Sequence, residues 1–165
     1  MKILLISDNH GYSDQLIINH AKEVDEIWHA GDWLNNNLWE QLNRVCESVI
    51  GVYGNIDGID VKINCPLVQK FERQGMRIFI THIAGKPGNY KAIIQKEAKD
   101  FGANIFVCGH SHMLLVQYDK VNSWLHLNPG AIGLHGFHKV RTALKFEINK
   151  GKVENMNVIE WDRLK

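Results

Sequence analysis

Along this chain, short apolar runs break off at polar residues, and amphipathic stretches follow them. The run Ile3-Leu4-Leu5-Ile6 ends at Ser7-Asp8-Asn9-His10, which predicts a buried strand delivering side chains at its C-terminal end. Ser13 or Asp14 suits the cap of a helix carrying Leu16, Ile17, Ala21 and Val24 on one side. A second strand over 26–30 stops at Gly31-Asp32. A second helix over 37–46 then places Leu38, Leu42 and Val45 at helical spacing. The third strand, over 48–53, stops at Gly54-Asn55. Glycine just before the polar residue, in two of these three cases, permits a sharp turn and leaves room for something bulky alongside.

The rhythm changes in the middle. Segments 67–72 and 76–81 flank Arg73-Gln74-Gly75 as the arms of a hairpin, and the second arm runs into Thr81-His82. After the loop Gly85-Lys86-Pro87-Gly88, a helix over 89–100 puts Tyr90, Ile93, Ile94 and Ala98 in phase. The strand over 104–108 ends at Gly109-His110-Ser111-His112. From there the pattern is mostly β, over 114–118, 124–127, 142–148 and 153–161. The expected fold is α/β: two stacked mixed β-sheets flanked by helices, an αββα sandwich forming a single domain over 1–165.

Five of these strands terminate in Asp8 and His10, in Asp32, in Asn55, in His82, and in His110 and His112. Each of these side chains offers an oxygen or a neutral imidazole nitrogen to a cation. Mixed His, carboxylate and amide ligation suits Mn, Fe, Zn or Ni better than Ca or Mg. The donors are too many for one tetrahedral centre. Two metals sharing a carboxylate account for the number more economically.

Composition narrows the picture. The chain has 165 residues, a formal charge of +1 and 45% hydrophobic content, as a globular domain does. No block of like charge suggests a nucleic-acid surface, and no apolar run approaches the ~18 residues of a membrane span. Cys46, Cys65 and Cys108 have no C-x-x-C spacing, which fits reduced thiols and a cytoplasmic location.

The order Asp8-x-His10, Gly31-Asp32, Gly54-Asn55-x-Asp57, His82, Gly109-His110-x-His112, with Asn128-Pro129-Gly130 downstream, resembles the calcineurin-like metallophosphoesterases. It is most similar to their compact bacterial and archaeal phosphodiesterases, a branch that also includes a metal-poor scaffold subunit. The resemblance implies one metal on Asp8, His10 and His112, a second on Asn55, His82 and His110, and Asp32 bridging them, with Mn favoured over Fe, Zn and Ni. It implies catalytic roles for Asp32, Asn55 and His110, with a metal-bridging hydroxide attacking phosphorus in a small or nucleotide-like phosphodiester. A phosphomonoesterase or a non-catalytic scaffold is the alternative. Oligomeric state stays open, a homodimer being common among similar proteins. Asp57 is expected to orient a ligand or cap the following turn.

Two departures from the family pattern matter. Elaborate members carry His directly after the Asn of the third motif, as a proton donor to the leaving group; here Ile56 stands there. The usual Gly and second His after the fourth-motif His are Ile83 and Ala84. His135 or His138, just past Asn128-Pro129-Gly130, is the candidate for the missing acid. Elsewhere, His20 reads as surface or boundary, His29 as packed or hydrogen-bonded, and His126 as facing out of its sheet. Lys139 and Arg141 read as charges on an exposed strand or as phosphate binders. Trp33 reads as core or as a wall of the site, and Cys108 as a small buried hydrophobe.

Overall fold

The computed structural model describes residues 1–163. In chain order its elements are β1 (Lys2–Ile6), α1 (Gln15–Ala21), β2 (Glu26–His29), α2 (Asn37–Asn43), β3 (Val49–Gly51), α3 (Ile59–Lys62), β4 (Val68–Arg73) and β5 (Met76–Thr81). They continue with β6 (Gly85–Lys86), β7 (Asn89–Tyr90), α4 (Ala92–Phe101), β8 (Ile105–Val107), β9 (Leu114–Asp119), β10 (Trp124–Pro129), β11 (Val140–Asn149) and β12 (Lys152–Asp162).

Two five-stranded mixed sheets result, ordered β12-β11-β1-β2-β3 and β4-β5-β8-β10-β9. Strand alternation explains how they stack. Ile3 and Leu5 of β1 join Trp28, Ile78, Ile80, Ile105, Val107 and Leu127 in a core between the sheets. Leu4 and Ile6 face the other way and pack with Ile17, Ala21, Leu38 and Leu42 of α1 and α2. On the far side of the second sheet, Phe79, Phe106 and Trp124 pack with Ala98 of α4. Helices therefore cover both outer faces, and Ile3 to Ile6 are all fully buried, as a strand covered on both faces requires.

Parallel pairing decides where the site lies. β1 runs parallel to β2 and β2 to β3, while β5 and β10 both run parallel to β8. The C-terminal ends of β1, β2 and β3 thus share one edge of the first sheet, and those of β5 and β8 share one edge of the second. Beyond the strands the first two loops stay zipped together, with Asp8 N–H donating to Gly31 O at 2.9 Å and His10 N–H to Asp32 O at 3.0 Å.

Several local expectations change. Asp14 caps α1 by accepting from Ile17 N–H, but the buried face is Ile17, Ile18 and Ala21, and Leu16 lies exposed. α2 ends at Asn43, three residues early. α4 starts at Ala92 because Pro87-Gly88 folds residues 85–90 into the hairpin β6–β7, in which Gly85 pairs with Tyr90. The short α3 carries no apolar periodicity long enough to announce it.

Two side chains contradict their expected exposure. His126 does point away from the inter-sheet core, yet it is buried, because the β6–β7 hairpin lays Tyr90 over that face and its hydroxyl meets His126 Nδ1 at 3.1 Å. Arg141 is buried as well, bonded to Asp14 at 2.8 Å and flanked by the rings of Tyr12 and Trp161. Its charge is neutralised within the fold, so it does not reach a phosphate.

Candidate metal centre

The two sheet edges bring the seven strand-end residues together. Asp8, His10 and His112 form one group whose donor atoms lie within 4.8 Å of one another; Asp32, His82 and His110 form a second. Asn55 adjoins the second, its Oδ1 standing 3.1 Å from His82 Nε2. Asp32 spans the pair: Oδ1 lies 3.2 Å from His82 Nε2, and Oδ2 lies 3.8 Å from His10 Nε2. Asp8, fully buried, places Oδ1 3.3 Å from His112 Nε2 and 4.0 Å from the Nε2 atoms of both His10 and His82.

Backbone strain concentrates on this set. Asp8, His10, Asp32, His110 and His112 all have positive φ, between 47° and 68°. Such conformations are uncommon outside glycine and cost about 1–3 kcal/mol each. They turn each side chain off its strand end into the gap between the sheets. Close approach explains the neighbouring glycines: a Cβ on Gly54 would fall 2.0 Å from Asp32 Oδ1, and one on Gly109 would fall 2.1 Å from Ser7 Oγ.

Hydrogen bonds fix the donors from behind. His82 Nδ1 donates to Ala30 O at 2.7 Å, leaving Nε2 to face the cluster. Asp8 Oδ2 accepts from Ser7 Oγ at 2.5 Å and from His110 N–H at 3.0 Å. Asp57 makes no hydrogen bond to the six clustered side chains among the described residues. It accepts instead from the backbone N–H groups of Asp32 (3.1 Å), Leu34 (2.7 Å) and Gly54 (2.7 Å), clamping the loops after β2 and β3 together. Asn128 does the same for the loop after β8, donating to Gly109 O at 2.9 Å and Ser111 Oγ at 3.1 Å.

The electrostatics favour a cation. Burial raises the Asp32 carboxyl, but the His82 hydrogen bond and charge, with the Ile56 N–H, outweigh it and hold its pKa below the ordinary value. Burial depresses His82, yet its hydrogen bond to Asp32 and the charges of Asp8 and Asp32 outweigh that and raise its pKa. Burial lowers the pKa of His10 and of His110, which favours the neutral imidazole form of each. At 3.2 Å, Nε2 of His10 faces Nε2 of His112. Buried carboxylates and imidazole nitrogens converging on one gap are a donor set that fits two divalent cations.

The other candidates separate. His135 lines the open cavity of about 550 Å³ above the clusters, its ring 4.9 Å from that of His10. His138 lines it too, but its Nε2 is bonded to Gly133 O and its Nδ1 is buried without a partner among the described residues. His29 is buried and stacked on Trp33, with Nε2 bonded to Asn9 Oδ1 and Nδ1 accepting from Gly31 N–H. Burial, then the His82 charge, holds its pKa well below the usual range. Trp33 is core, its Nε1 donating to Val52 O. Burial pushes the Cys108 thiol up to about 12, which leaves it unreactive. Phe137 and Met113, also at the cavity mouth, carried no signal in the sequence beyond standing beside histidines.

Two mixed sheets with paired His/Asp clusters between their strand ends define a fold of the metallophosphoesterase kind. The chain belongs to the calcineurin-like phosphoesterase superfamily, whose domain matches residues 1–151. It is 26% identical over 162 residues to a probable metallophosphoesterase of Mycoplasma pneumoniae, covering 94% of each chain. Phosphodiesterase MJ0936 of Methanocaldococcus jannaschii is 24% identical over 145 residues, covering 79% of this chain and 83% of that one. Among solved structures, Vps29 of Entamoeba histolytica complexed with zinc superposes with a TM-score of 0.74 at 16% identity, covering 99% of this chain and all of that one.

Proposed function

We propose that this chain is a two-metal phosphodiesterase acting on a small or nucleotide-like phosphodiester. The observation that carries the reading is the division of Asp32 between the two clusters, one oxygen toward His82 and the other toward His10. The sequence likeness to a named phosphodiesterase supports it.

Asp8, His10 and His112 would hold one divalent cation, and Asn55, His82 and His110 the other, with Asp32 shared; Mn is the first choice, then Fe, Zn or Ni. Bound there, the cations supply Lewis acidity, which lowers the pKa of water to roughly 7 and neutralises charge on phosphate oxygens. The protein's part is orientation. Ala30 O fixes the His82 tautomer, and Asp57 and Asn128 hold the loops, while the donors face the open cavity. At the position beside Asn55, Ile56 cannot pass a proton, and His135, open to the cavity, takes the place of the acid.

The test is a phosphodiester and phosphomonoester panel across several divalent metals, with Asp32→Asn as the control. Metal-dependent turnover of diesters that Asp32→Asn abolishes supports the reading. Faster turnover of monoesters replaces it with a phosphomonoesterase, and a purified protein that never retains metal replaces it with a scaffold.

A further inference from the structure

The cavity above the clusters is polar at its floor and apolar at its mouth. Phe137 is fully exposed there, Met113 largely so, and Ile56 partly. A single exposed hydrophobe is ordinary. Here three of them ring one cavity, and each is tied to a candidate ligand. Ile56 follows Asn55, and Met113 follows His112. Phe137 follows Gly136, whose backbone has φ of 116° and presses so close to His112 that a Cβ would fall 2.3 Å from its Nδ1.

The segment carrying Phe137 is held in place. Arg163 donates to Gly136 O at 2.8 Å, to His138 O at 2.9 Å, and also to Leu134 O. His138 Nε2 bonds to Gly133 O at 3.0 Å within the same turn. The ring is thus an exposed apolar surface on a tethered backbone, beside the point where the two clusters open to solvent. With the backbone already tethered, only the ring's own rotamers remain to be ordered on contact with a flat partner, and a neighbouring methionine adds a polarisable, adaptable edge. The cavity volume of about 550 Å³ accommodates a phosphoryl group together with a ring.

We infer that Phe137, with Met113, is the recognition platform for a flat aromatic ester arm on a phosphoester whose phosphoryl group sits over the His/Asp clusters. The inference rests on the phosphoesterase reading and adds the chemical class of the arm. Aromatic stacking favours such an arm over a methyl group by about tenfold.

The test is calorimetric binding to the Mn²⁺-loaded protein, with Mn²⁺ uptake measured first. Phenylphosphonate and methylphosphonate carry the same head and different arms, and inorganic phosphate, having no arm, reports the phosphoryl site alone. The expected result is about tenfold tighter binding of phenylphosphonate than methylphosphonate. Phe137→Ala brings that ratio near one, Phe137→Tyr keeps it, and Met113→Ala lowers it about threefold. Equal affinities in the parent protein, or an unchanged ratio in Phe137→Ala, overturn the inference. If phosphate binds and diesters are hydrolysed while the ratio is one, only the aromatic platform falls. If Mn²⁺ is taken up but neither phosphate binding nor hydrolysis is seen, the parent reading falls and takes the platform with it.

Discussion

Gly54 stands so close to Asp32 that the smallest side chain would put a carbon 2.0 Å from Oδ1. The carboxylate shared by the two clusters therefore owes its position to the hydrogen on Gly54. Gly54→Ala forces either the loop after β3 or the Asp32 side chain aside. A misplacement of about 1 Å costs on the order of 10²-fold in rate. The expected outcome is a loss of that size in kcat/KM and of one Mn²⁺ per chain, measured by metal analysis after gel filtration; two retained ions with full activity would falsify the assignment.

Asp57 should matter nearly as much without a hydrogen bond to any clustered side chain. Its carboxylate receives three backbone N–H groups, from Asp32, Leu34 and Gly54. Asp57→Asn turns one acceptor into a donor facing N–H groups. Metal affinity should fall by roughly 10- to 100-fold, as it does when outer partners of ligands are removed. Mn²⁺ titration followed by calorimetry checks this, and wild-type affinity in the variant would count against the clamp.

Leaving-group dependence tests the missing acid. With Ile56 beside Asn55, activated aryl diesters should be turned over faster than alkyl monoesters, since good leaving groups need little protonation. His135→Gln should then lower kcat on a diester with a poor leaving group by roughly 10²-fold, the low end of general-acid contributions, and spare an activated one. His138→Gln should have the smaller effect, because that ring is engaged with Gly133 O. Equal kcat for parent and His135→Gln on the poor leaving group would remove His135 from this role.

Stability should fall on the acid side through a residue remote from the clusters. Burial holds His126 down at about 4, against an ordinary 6.5. The unfolded chain takes up a proton as pH falls through 6.5, whereas the folded one resists until about 4. The contribution of His126 is therefore complete above pH 6.5 and lost progressively between 6.5 and 4, amounting to about 3 kcal/mol at most. His29 shares the direction, so the clean measurement is a difference. Urea unfolding of the chelator-treated parent and of His126→Gln at pH 7, 5.5 and 4.5 should show the shallower acid decline in the variant. Parallel declines would mean that His126 titrates normally.

The strand ends are legible in the sequence, because an apolar run that stops at Asp, Asn or His shows where a buried strand reaches an edge. The hairpin β4–β5 and the outward Asp14 cap were legible for the same local reasons. What escaped was non-local. The positive φ at Asp8, His10, Asp32, His110 and His112 arises from loops of two sheets meeting, and no single segment records it. The covering of His126 depends on a two-residue strand, β7, swinging Tyr90 across from elsewhere. Arg141 has the pattern of an exposed strand charge, and only Asp14, 127 positions away, accounts for its burial. Alternation says which way a side chain points; only the tertiary fold says whether water is there.

β1 lies between β2 and β11, and its antiparallel partner on one flank, from Glu147 to Leu144, is remote in the chain. A growing polypeptide that has not yet reached Val140 carries Lys2–Ile6 with one flank bare, however complete the rest may be. Asp8 and His10 follow directly, and their own partners (Gly31 O, Asp32 O and His110 N–H) all precede the β11–β12 hairpin in the chain. The edge that pairs with β11 is thus an apolar strand flank completed only from the far end of the chain.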